Sequence, residues 1–107
     1  MMNERKNTKP IYIRFNKEEL DNLRYLSNME YRTLCGEVEY ILREHEVAGC
    51  RVPTKVNRQY KFNLYIDKKL YEKVKEHAYL YGLTASDWIR SNLKSYYDEF
   101  MKNNKLE

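Results

Sequence analysis

Residues 61–67 read KFNLYID, with Phe62, Leu64 and Ile66 alternating with Lys61, Asn63 and Tyr65. A period of two carried by aromatic and branched residues predicts a strand with one buried face. Asp67 then offers a carboxylate to the free N–H groups of a helix start. Earlier in the chain, residues 11–15 read IYIRF, where Ile11, Ile13 and Phe15 alternate with Tyr12 and Arg14. That stretch also runs into a capping residue, Asn16, and Asp67 follows it by 51 residues.

The same offset relates the segments C-terminal to the two caps. Leu20, Leu23 and Leu26 share one face of a helix predicted after Asn16. Leu70, Tyr71, Val74, Ala78 and Tyr81 share one face of a helix predicted after Asp67, as spacings of three and four require. Gly82 can end that helix in a left-handed conformation, and Thr84 can cap the next. Thr33 stands 51 residues before Thr84. The second helices are expected to bury Val38, Ile41 and Leu42 in one copy, and Trp88, Ile89, Leu93 and Tyr96 in the other. Val38 and Ile89 keep the offset, as do Leu42 and Leu93, with no insertion. Strand, cap, helix, cap and helix in one register predict an internal duplication. The expected organisation is a basic N-terminal arm at 1–9, a first unit at 10–47, a linker at 48–59, a second unit at 60–101 and a tail at 102–107.

A lone short strand leaves backbone donors and acceptors unpaired, so the two strands are expected to form one antiparallel ribbon over four helices. In this plan the chain resembles the ribbon-helix-helix family of DNA-binding proteins, the Arc, MetJ and CopG-like superfamily. The resemblance is closest from KFNLYID through LTASDWIRSNL, where the strand, Gly82, Thr84 and Trp88-Ile89-Arg90 all fit. The first copy departs from the pattern: Tyr31 stands where glycine is usual, Arg32 replaces an apolar residue, and Gly36 falls early in the second helix. The resemblance implies a mainly α protein, two ribbon-helix-helix units in tandem (β-α-α-β-α-α). Family members are usually homodimers, so one chain carrying both copies implies a single-chain pseudo-dimer; the alternative is a true dimer in which unit one pairs with unit one and unit two with unit two. A linker of this length reaches up to roughly 40 Å when extended, and tethering raises the effective concentration of the partner strand.

The resemblance further implies double-stranded DNA as partner, with the ribbon in the major groove. The residues facing away from the core would then meet base edges: Tyr12, Arg14, Lys61, Asn63 and Tyr65. Arg14 and Lys61 can donate to guanine O6 and N7, and Asn63 can pair with adenine. The tyrosines can meet thymine methyls or hydrogen-bond through their hydroxyls. Free N–H groups after Thr33 and Thr84, with the Ser86 hydroxyl, suit phosphate oxygens. Lys9, Lys55 and Arg58, along with Arg5 and Lys6, are expected to reach phosphates from flexible segments. Because the two strands differ, a fused ribbon is free to read an asymmetric subsite. Copies of the pseudo-dimer are expected to be able to associate on adjacent sites.

Composition agrees with such a partner. The 107 residues carry a formal charge of +4. Residues 1–54 hold nine basic and nine acidic side chains, whereas residues 55–107 hold eleven and seven. Arg51, Lys55, Arg58, Lys61, Lys68 and Lys69 cluster around a single acid, Asp67. Such a cluster attracts phosphate backbones.

Other classes are disfavoured. No apolar run approaches the ~20 residues of a membrane span, and the polar start is not a secretory signal. The expected compartment is the cytoplasm, that of the host if a plasmid, phage or virus carries the gene, as is common in this family. Cys35, Cys50, His45 and His77 match no common zinc spacing. No glycine-rich phosphate loop or nucleophile-base pair suggests an enzyme, and no cofactor is expected. The expected role is a transcriptional repressor. The alternatives are a plasmid relaxosome or partition accessory factor, and a protein-interaction module that inhibits a host protein.

Overall fold

The structure, a computed structural model, describes residues 8–44 and 56–104. Two strands and four helices follow in the order β1 (Thr8–Phe15), α1 (Lys17–Met29), α2 (Leu34–Glu44), β2 (Tyr60–Asp67), α3 (Lys68–Leu80) and α4 (Ala85–Asn103). The fold is mainly helical with a two-stranded antiparallel sheet. β1 takes in Thr8 and Lys9, two residues expected in the arm, because they continue the ladder opposite Asp67 and Ile66. The helix α4 likewise runs into the expected tail. Lys55, Arg5, Lys6, His45 and Cys50 lie outside the described residues.

Each helix starts where its cap dictates. Asn16 accepts from the Glu19 amide at 2.8 Å, and the Glu19 carboxylate accepts from the Asn16 amide at 2.9 Å. This reciprocal box satisfies two donors that a helix start leaves free. Asp67 caps α3 through the Leu70 amide at 2.7 Å, and Thr84 caps α4 through the Asp87 amide at 3.1 Å. Thr33 accepts from the Gly36 amide at 3.0 Å. The starts of α1 and α3 are 51 residues apart, as are those of α2 and α4.

The turns between paired helices match as well. Gly82 has φ 70°, and Tyr31, 51 residues earlier, has φ 58°. Leu83 donates its amide to the Ala78 carbonyl at 2.8 Å, and Arg32 donates to the Ser27 carbonyl at 2.9 Å. Both turns are therefore the same left-handed helix ending. The missing glycine does not change the first turn; tyrosine is held in the glycine conformation.

The core lies between the ribbon and the helices. Ile11, Ile13 and Phe15 from β1 and Leu64 and Ile66 from β2 are buried, with Phe62 packed against them. Leu23, Leu26, Val38, Ile41 and Leu42 meet them from α1 and α2; Leu70, Val74, Ala78, Trp88, Ile89 and Leu93 do so from α3 and α4. The C-terminal half of α4 carries Tyr97 and Phe100 against Tyr25 of α1, and Tyr96 against Tyr40 of α2, all edge-on. Tyr81 closes the end of α3 and stacks on Trp88 with ring centroids 5.2 Å apart.

Candidate nucleic-acid interface

The outer face of the ribbon is set by strand parity. Because the inner positions are buried, Tyr12 and Arg14 on β1 and Lys61, Asn63 and Tyr65 on β2 are exposed. All five expected ribbon residues therefore share one face. Tyr12 is 67% and Tyr65 55% exposed. Among the described residues, none of the five side chains makes a hydrogen bond or ion pair. The pairing register adds Pro10, which the sequence reading missed; it lies opposite Tyr65. Its distance of 51 residues from Lys61 would have identified it.

The register also sets the ribbon's centre. Tyr12 pairs with Asn63, Arg14 with Lys61, and Pro10 with Tyr65. Tyr12 and Asn63 are themselves 51 residues apart, so corresponding residues of the two strands meet only at this pair.

Two helices pin that centre from below. The Ser86 hydroxyl, at the start of α4, donates to the Tyr12 carbonyl at 3.4 Å. Its counterpart Cys35, at the start of α2, donates its thiol to the Asn63 carbonyl at 3.7 Å. Arg90 donates to the Arg14 carbonyl at 2.7 Å and is itself held by Asp87 at 2.8 Å. Cys35 and Arg90 were missed in the sequence reading. Cys35 was legible as the counterpart of Ser86; nothing in the local sequence around Arg90 pointed to its role. These bonds fix backbone, which preorganises the side chains on the opposite face.

The expected phosphate contacts fare unequally. Thr33 and Thr84 cap the helices beside the ribbon and are exposed. The Ser86 hydroxyl points at the ribbon carbonyl. Lys9 is part of β1 and has the parity of the core residues, so its exposed side chain sits at the ribbon's end and off the outer face. Arg58 is a correction. It is buried and grips the Glu19 carboxylate with Nε and Nη2, at 2.8, 3.1 and 2.8 Å. A guanidinium so engaged is unavailable to a phosphate. Burial pushes the Glu19 carboxyl up, but the Arg58 and Asn16 hydrogen bonds outweigh it and hold Glu19 below the usual carboxylate range.

A second cluster stands behind the first turn. Glu37 is fully buried, Arg32 reaches it at 3.3 Å and Glu30 at 3.1 Å, and the Tyr96 hydroxyl donates to Glu30 at 2.8–2.9 Å. Burial, with Glu30 beside it, pushes Glu37 up to about 7, while Arg32 opposes the shift. The corresponding positions of the other half hold Tyr81 and Trp88, the stacked pair.

Among the described residues there is no group of three or more side chains suited to a metal ion, and no helix is long and apolar enough to cross a membrane. Comparison with protein-family models, with curated proteins and with solved structures gave no match.

Proposed function

We propose that the chain is a sequence-specific double-stranded DNA-binding protein of ribbon-helix-helix type that inserts its antiparallel ribbon into the major groove and acts as a transcriptional repressor. In this reading the two halves are tandem units, and the chain is its own pseudo-dimer. The carrying observation is the register: Tyr12 faces its own counterpart, Asn63, at the ribbon centre. A two-fold axis through that pair would relate the strands as the two chains of a homodimer are related.

Support for the partner comes from the ribbon face. Its donors and acceptors have no partner among the described residues, and a two-stranded ribbon fits the major groove. The starts of α2 and α4 lie beside it, and a helix start leaves first-turn N–H groups free, which suits phosphate oxygens. The net positive charge of the second half adds attraction.

The test is a mobility-shift titration against a pool-selected duplex over a range of salt. A protein neutralising six phosphates loses roughly a thousandfold in affinity between 50 and 200 mM salt. Loss on that order is expected here, with retention of preference for the selected sequence. Binding that ignores salt and sequence would exclude the reading. A promoter-reporter assay with the selected site separates a repressor, which silences it, from an accessory factor, which occupies the site without effect on transcription.

A further inference from the structure

The register gives the ribbon a direction. Arg14 and Lys61 are cross-strand partners, so both cations of the outer face lie at one end. Toward the opposite end Pro10 faces Tyr65, and beyond them Thr8 faces Asp67, whose carboxylate is taken up by the Leu70 amide and Arg43, so no cation of the outer face lies there. Tyr12 and Asn63 lie between. Successive outer pairs are about 7 Å apart along a strand, so the face extends over roughly four base-pair steps.

The cationic end is unfavourable as it stands. Like charges directly opposed across two strands repel, and no carboxylate among the described residues pairs with either side chain. Such a pair is relieved by an acceptor-rich group placed between the two cations. The guanine edge, with O6 and N7 side by side, is the base edge that supplies this in the major groove. At the other end proline has no side-chain donor, and a tyrosine ring suits the thymine methyl. Asn63 in the middle has the amide geometry that pairs with adenine N6 and N7.

We propose that the ribbon is a polarised reader: its target is a non-palindromic duplex subsite with guanine under Arg14 and Lys61, adenine under Asn63, and thymine-bearing A·T pairs under Pro10 and Tyr65. The proposal rests on the DNA-binding reading above and adds the composition and orientation of the site. One chain therefore binds its subsite in a single orientation.

The experiment is selection from a duplex pool whose random window is about eight base pairs, wide enough for one ribbon and narrower than the ~10 base pairs between two half-sites. It is run on the full chain and on Arg14→Ala, Lys61→Ala and Tyr65→Ala. The expected result is a non-palindromic sequence. Arg14→Ala and Lys61→Ala should lose preference at the same guanine-bearing end, each with roughly tenfold to a hundredfold weaker binding of the selected site. Tyr65→Ala should lose preference at the other end. Arg14→Lys, which keeps the charge and loses the planar fork, should retain unselective binding and lose the guanine preference. A palindromic site, or effects of Arg14→Ala and Lys61→Ala at opposite ends, overturns the polarity and leaves DNA binding standing. Failure to enrich any sequence overturns both.

Discussion

Tyr31 is the residue at which the fold departs furthest from ease. Its backbone is left-handed at φ 58°, and its side chain is 94% exposed, so the ring gains nothing from burial. A left-handed non-glycine residue costs about 1–2 kcal/mol, part of which glycine would return through its larger unfolded-state entropy. Tyr31→Gly should therefore raise stability by about 0.5–1 kcal/mol, a few degrees in Tm for a domain of this size. An unchanged or lower melting temperature would contradict the presence of strain at this turn. Glu37 gives a pH dependence. The groups acting on it are Glu30 and Arg32 from the turn, with Tyr96 of α4 beside them. The folded state keeps the Glu37 proton to about 7, against 4.5 for a free carboxyl. Between those values the folded state binds more protons than the unfolded, so this group's contribution to stability falls as pH rises through that window. Glu30, held low by Glu37, Tyr96 and Arg32 against the effect of its burial, has the opposite sign and a lower window. Glu37→Gln should raise Tm relative to the parent more at pH 8 than at pH 5. Equal differences at the two values would remove Glu37 as the cause.

At the level of elements, the capping residues and apolar periodicity made the helices legible. Asn16, Asp67, Thr33 and Thr84 mark helix starts through bonds three residues long, so the local sequence contains them whole. The strand faces were legible for the same reason, since parity needs only neighbours. What could not be read were bonds across long sequence separations. Arg58 looks like a solvated cation in a polar stretch; only folding brings it against Glu19, 39 residues away. Arg90 reaches the Arg14 carbonyl across 76 residues. The Arg58–Glu19 pair fastens the entry to β2 onto the first turn of α1, and its Arg58 member is almost wholly buried. Arg58→Ala leaves Glu19 half-buried with one partner fewer and should cost about 2–3 kcal/mol. Below the variant's melting point, DNA affinity should change little, because the guanidinium is not on the proposed interface. A large affinity loss with unchanged stability would restore Arg58 to the phosphate contacts.

At the scale of the whole molecule, the two halves are unequal. The second carries the glycine turn, the Tyr81–Trp88 stack and the net charge. The first has a strained tyrosine turn and, at the corresponding places, a buried carboxyl beside a half-buried one. A homodimer would have to accept each such change twice; a fused pair can confine it to one side, which is also what an asymmetric ribbon requires. The most direct test of a self-contained, DNA-reading pseudo-dimer is the stoichiometry on a short duplex bearing one selected subsite, measured as the mass of the complex in native mass spectrometry. The expected complex holds one 13.1 kDa chain per duplex, with Asn63→Ala weakening that complex on the selected sequence and not on a scrambled one. Two chains on every occupied subsite, or no sequence-dependent complex, would contradict it.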